Sequence, residues 1–341
     1  MNIPMLDLAR QHQAYRTELH DAARRVIDSN QFIMGNEVAR FEANLSVMTD
    51  DAIAIGVSSG TDALLVALMG LGVGPGTEVV VPAFSFFASA GVVARLGAKP
   101  VFADICPDTF NVTDETIAPF LGPKTRVVMP VYLFGQMTPI GTQRFDGCEI
   151  PVLEDAAQSL GARLNGKGVA TAHAIAATSF FPTKNLGGFG DGGAVFLREA
   201  ALAERLKILR THGAKPKYTH HQIGGNFRLD AIHAALLDVK LRHLNAQIAA
   251  RRSLAAAYDT RFREIAQFTG GAIKTPSVVD GGMHTYNQYV LRCERRDALK
   301  RYLSEAGISS MVYYPSPLHL QPCFAELGYQ IGALPEAEKA C

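Results

Sequence analysis

Residues 179–193 read Ser-Phe-Phe-Pro-Thr-Lys-Asn-Leu-Gly-Gly-Phe-Gly-Asp-Gly-Gly, and this stretch decides the fold. Its one lysine, Lys184, stands between an aromatic flank (Phe180, Phe181, Pro182) and glycines at 187, 188, 190, 192 and 193. Lysines are ordinarily solvated surface residues; these flanks argue for a packed setting instead. Upstream, Ile150-Pro-Val-Leu-Glu-Asp155 reads as a buried strand that ends in a carboxylate. Further upstream, Ser58-Ser-Gly60-Thr61 precedes the apolar run Ala63-Leu-Leu-Val-Ala-Leu68, the pattern of a helix start. An amine nucleophile, a strand-end carboxylate and a helix N-terminus are the three parts a pyridoxal phosphate (PLP) site requires. They supply the Schiff-base lysine, the partner of the pyridine nitrogen and the phosphate site.

Composition sets the outer bounds. The chain of 341 residues is 48% apolar and 19% charged, with net charge +1, so it can bury a large core. Bulk electrostatics give no reason to expect nucleic acid or an anionic membrane as a partner. Five scattered cysteines, at 106, 148, 293, 323 and 341, have no metal spacing and read as free thiols of a reducing compartment. The N-terminus lacks a basic region followed by an apolar core, and no run reaches membrane-spanning length. A cytoplasmic enzyme is expected.

Taken in order, residues 11–48 read as helical with a break at Gly35. Strands are expected at 52–57, 79–85, 100–104, 126–132, 150–155, 174–180 and 194–197, with helices after Thr61 and around 88–96. That alternation predicts an α/β fold, a mostly parallel sheet with helices on both faces. Its ligand sites lie at the carboxyl ends of strands, where Thr61, Asp155 and Lys184 all fall. From Leu229 a long helix runs to about Tyr258. Strands at 286–291 and 308–314 flank a helix at 296–306, which makes a small α+β domain. The expected division is a large domain over 1–235 and a small one over 236–341.

The residues carry distinct expectations. Lys184 forms the Schiff base and moves protons, and Asp155 holds the pyridine nitrogen protonated. Gln158 reaches the phenolic oxygen. Gly60, Thr61 and Ser179 bind phosphate. Phe86 stacks on the ring, with Phe84 or Phe87 as alternatives. Glu154, on the opposite side of its strand from Asp155, receives no role. Gly188-Phe-Gly-Asp-Gly-Gly193 fits a dinucleotide fingerprint but precedes a strand rather than a helix, and Gly161–Gly168 lacks the Ser/Thr of a P-loop. No histidine spacing suggests a metal.

These residues resemble the DegT/StrS family of PLP-dependent nucleotide-sugar aminotransferases, whose fold is that of aspartate aminotransferase (PLP fold type I). The most specific matches are Glu154-Asp-Ala-Ala-Gln158, Ser179-Phe-Phe-Pro-Thr-Lys184-Asn-Leu-Gly and Gly190-Asp-Gly-Gly. Ser59-Gly-Thr-Asp-Ala-Leu, Pro130-Val-Tyr-Leu-Phe-Gly-Gln, Gly224-Gly-Asn-Phe-Arg-Leu-Asp and Tyr314-Pro-Ser-Pro-Leu-His-Leu-Gln-Pro extend the likeness along nearly the whole chain. The resemblance implies a homodimer with shared active sites, in which Asn226 reaches the cofactor phosphate of the other subunit. It further implies that Arg228 faces an anionic substrate group, that Tyr313, Tyr314 and His319 line the sugar pocket, and that L-glutamate donates the amine. Relatives with His at the lysine position are dehydratases, and Lys184 argues against that branch. The stretch 215–230 looks most like enzymes acting on UDP-linked 3-keto-N-acetylhexosamines. Met137 departs from the acidic residue usual after Gln136, and the chain stops at Cys341 where relatives continue. A non-catalytic PLP- or sugar-sensing regulator built on the same fold, or a PLP-dependent sugar dehydratase, is the alternative.

Overall fold

The computed structural model describes residues 2–270 and 272–341. Seven strands make its central sheet: β1 (Ile53–Val57), β2 (Glu78–Pro82), β3 (Lys99–Ala103), β4 (Thr125–Val128), β5 (Leu153–Asp155), β6 (Ile175–Ser179) and β7 (Gly193–Leu197). Their order is β3-β2-β4-β5-β6-β7-β1, with the β4–β5 seam closed by parallel bridges Val128–Val152 and Val131–Asp155. β7 alone runs antiparallel to both neighbours; the pairs on the other side of β6 are parallel. This is the mostly parallel sheet expected. Strands such as Glu-Val-Val-Val-Pro are apolar without alternation because both faces are covered.

The helices that matter are α1 (Leu8–Gln13), α2 (Arg16–Ser29), α3 (Asn36–Met48), α4 (Gly60–Gly70), α5 (Ala88–Arg95), α6 (Ala200–Leu209) and α7 (Ala231–Thr269). α4 is buried along nearly its whole length, packed between the sheet and α5 and α6, which explains why it is apolar all round. The 39 residues of α7 span about 58 Å. Its first half buries Ala234, Ala235, Leu237, Leu244 and Ile248 with Val38, Phe41 and Leu45 of α3. α7 is unbroken through 235–236, where the sequence reading divides the chain.

Two expected strands are absent. Residues 286–291 pair with no strand: the Thr285 and Gln288 N–H groups donate to the carbonyls of Gly135 and Phe134, and Tyr286 has a φ of 51°. Residues 308–314 contribute one bridge, Ile308 with Ile3. Alternating apolar residues specify a strand only where an edge is available, and these segments dock on the large sheet's loops instead. The C-terminal part keeps α8 (Arg296–Glu305) and a two-residue pairing of Ile273–Lys274 with Arg292–Cys293. Leu318, Phe324, Leu334 and Ala337 return to the core around β2 and β3. There Asp104 accepts from the Glu336 and Ala337 N–H groups at the start of α9 (Pro335–Ala340).

Candidate active site

Three strand ends converge. β1 leads through Ser58 into α4, β5 ends on Asp155, and β6 ends on Ser179 and continues to Lys184. The Ser59 hydroxyl accepts the Asp62 N–H at 3.0 Å and caps α4. The N–H groups of Gly60 and Thr61 lie in the first turn, where no helical acceptor exists. A Cβ on Gly60 would lie 2.5 Å from Ser179 Cβ, so glycine is what lets the helix start touch the end of β6. Downstream of Lys184, a Cβ on Gly188 would lie 2.0 Å from the His233 ring of α7. The glycine run therefore lays the lysine's loop against the long helix.

Asp155 and Lys184 perturb each other. Burial raises the Asp155 carboxyl above its usual range, opposed by the Ser89 hydroxyl, the Ala157 N–H and the Lys184 charge. Burial lowers the Lys184 amine, opposed by Asp155. A lysine so depressed is more readily the free amine that attacks a carbonyl. A cation set beside Asp155 would draw its pKa back down.

Gln158 is fixed at both ends of its amide: Oε1 accepts the Phe134 N–H at 2.7 Å and Nε2 donates to the Tyr314 hydroxyl at 3.1 Å. Tyr314 packs edge-on to Phe84 and to Tyr313. Among the three candidate stacking rings, Phe84 is buried against Phe110 and Tyr314, and Phe87 stacks on Phe324. Phe86 is 58% exposed and has no ring neighbour among the described residues, so its face is free.

Asn226 and Arg228 flank Phe227, whose carbonyl accepts the Ser58 N–H, and Arg228 bridges to Val57. Both therefore sit beside the start of α4. Asn226 is exposed; Arg228 has a buried Nε with no partner among the described residues. His319 is not brought to this group. It is 2% exposed, its Nε2 lies 3.1 Å from the Glu338 carboxylate, and its ring packs near Phe102 and Tyr329. The Pro-Leu-His motif runs past the site, but the histidine points into the C-terminal core.

The set fits PLP on its own chemistry. It offers a depressed lysine, a buried carboxylate that a cation would stabilise, free N–H groups at a helix start beside a serine hydroxyl, and an unpartnered arginine Nε. Two neighbours escaped the sequence reading. Ser89 donates to Asp155 from α5, and Asn185 accepts from Arg251 while donating to Leu160 and Thr285. The only local sign of Ser89 was a hydroxyl on an apolar helix face.

The sequence profile of the DegT/DnrJ/EryC1/StrS aminotransferase family matches residues 13–341. A protein of Geobacillus stearothermophilus named pleiotropic regulatory protein is 47% identical, with 100% of this chain and 91% of the relative covered. A UDP-2-acetamido-2-deoxy-3-oxo-D-glucuronate aminotransferase of Pseudomonas aeruginosa is 37% identical over 99% of this chain and 92% of its own. Among solved structures, DesV of S. venezuelae in complex with a ketimine intermediate superposes with a TM-score of 0.91 at 37% identity. That match covers 99% of this chain and 91% of DesV.

Proposed function

The chain belongs to the DegT/DnrJ/EryC1/StrS aminotransferase family, PLP-dependent transaminases of fold type I, and from that premise we propose that it carries an amino group from L-glutamate to a nucleotide-linked ketosugar. UDP-linked 3-keto-N-acetylhexosamines are the proposed acceptors, in support of which stands the P. aeruginosa relative's own 3-oxo substrate. The observation that carries the reading is the electrostatic coupling of Lys184, in the loop after β6, to the buried Asp155 at the end of the neighbouring parallel strand β5.

When bound, PLP supplies a carbonyl that takes up an amine and a ring that accepts electrons. Lys184 Nζ would hold the cofactor and, once free, would serve as the group that moves a proton between donor and acceptor carbons. Asp155 would keep the ring nitrogen protonated, and Gln158, whose Nε2 donates to Tyr314, would supply a donor to the ring's phenolic oxygen. The Gly60 and Thr61 N–H groups and the Ser179 hydroxyl hold the phosphate, and Phe86 covers the ring. Arg228 takes an anionic substrate group, with Tyr313 and Tyr314 at the sugar side and residues 236–341 as the domain that completes the pocket.

A homodimer is part of this reading. In its support, Asn226 is exposed, and exposed Phe32 and Ile33 join Asp230 and Ala231 beside it. A cytoplasmic setting is supported by five unpaired cysteines; among the described residues no helix is long and apolar enough to cross a membrane. The test is a product assay. PLP-loaded protein, L-glutamate and a UDP-3-keto-N-acetylhexosamine are expected to give the 3-amino sugar and 2-oxoglutarate by mass spectrometry. The second reading, a PLP-binding regulator, is favoured by the name of the G. stearothermophilus relative; cofactor binding without amine transfer to any ketosugar would establish it instead.

A further inference from the structure

Two hydrogen bonds reach the buried Asp155 carboxylate from its own chain. Its Oδ1 accepts the Ala157 N–H at 3.2 Å, and its Oδ2 accepts the Ser89 hydroxyl at 2.9 Å. Ser89 lies in α5 and is 1% exposed; the Oγ of Ser85, 4% exposed, lies 3.1 Å from the Ser89 Oγ. A hydroxyl has one proton to give. Ser89 gives its own to a carboxylate, which can only accept, so Ser85 must donate to Ser89. The result is a directed chain from Ser85 to Ser89 to Asp155, sealed from water, in which each donor polarises the next.

We propose that Ser89, backed by Ser85, is a positioning residue that fixes the orientation and the charge of the Asp155 carboxylate. This rests on the reading of Asp155 as the partner of the cofactor's ring nitrogen. The titratable groups that bear on Asp155 are Lys184, from the loop after β6, and Tyr314, from the segment over Phe84. Burial works against the charged carboxylate, and Ser89 is the first of the groups that oppose it. Without its hydroxyl, Oδ2 keeps no hydrogen-bond donor among the described residues, and Asp155 more readily takes the proton that the ring nitrogen needs.

The test compares Ser89→Ala, Ser85→Ala, Ser89→Thr and Asp155→Ala in PLP-loaded protein. Readouts are kcat and KM, PLP affinity, and the pH midpoint of the change in visible absorbance of the lysine-bound cofactor. Ser89→Ala is expected to lower kcat about 10- to 100-fold, the worth of a hydrogen bond to a charged group. KM is expected to stay within about threefold. The absorbance midpoint moves upward, in the same direction as in Asp155→Ala, because a ring without its positive charge opposes protonation of the lysine nitrogen less. Ser85→Ala gives a smaller shift of the same sign, and Ser89→Thr, which keeps the hydroxyl, restores both. A wild-type midpoint and kcat in Ser89→Ala would overturn the proposal. So would Ser89→Thr behaving like Ser89→Ala while keeping the wild-type melting temperature. Failure of the wild-type protein to take up PLP would instead overturn the reading beneath it.

Discussion

Glu154 and Asp155 are neighbours with opposite surroundings, because successive side chains of β5 leave on opposite faces. Asp155 faces Lys184; Glu154 faces the loop at 170–173, accepting the Ala170 N–H at 2.7 Å and the His173 N–H at 3.3 Å. Burial outweighs those donors and pushes the Glu154 carboxyl up to about 8. The folded chain then keeps a proton that the unfolded chain loses above the ordinary 4.5. Stability from this group is present below that value and is lost as pH rises toward 8. Glu154→Gln cannot ionise and disturbs the two N–H contacts, so it is expected to be less stable than wild type at pH 5. Thermal denaturation from pH 5 to about pH 8 is predicted to narrow that gap; a gap constant with pH would contradict the assignment. Residue identities at strand ends were legible because position along the chain sets them. Side-chain direction was not: the motif that includes His319 predicted a pocket residue, and only the packing of residues 318–341 turns that ring toward Glu338.

At the scale of elements, the site depends on how closely α4 can approach β6. Gly60→Ala places a Cβ 2.5 Å from Ser179 Cβ, and relief requires backbone movement of the helix start, at about 1–3 kcal/mol for such overpacking. The expected result is at least about tenfold weaker PLP binding with a lower melting temperature. Gly74→Ala, where a Cβ meets nothing within 4 Å, serves as the control that leaves both unchanged. Equal PLP affinity in the two variants would contradict the role given to this contact. α4 itself was readable from Ser58–Thr61 and the apolar run after it. The strand expected at 286–291 was misread because alternation reports a half-buried backbone, and a segment docked on Phe134 and Gly135 is half-buried without pairing.

Over the whole molecule, the alternation of strands and helices gave the class of fold, but not the reversed sense of β7. The sign was present: a parallel return from β6 to β7 needs a crossover, usually helical. The glycine-rich stretch between them offers no helix, so β7 enters beside β6 from the same end of the sheet. That reversal keeps Lys184, on the 180–192 loop, at the end of the sheet where Ser179, the start of α4 and Asp155 already sit. The central claim is that this end of the sheet binds PLP on Lys184 and takes an amine from glutamate. The most direct measurement is the absorbance spectrum of the PLP-loaded protein before and after L-glutamate. A band near ~410–420 nm giving way to one near ~330 nm is the predicted result. No visible band in the presence of PLP, or a band that L-glutamate leaves untouched, would contradict it.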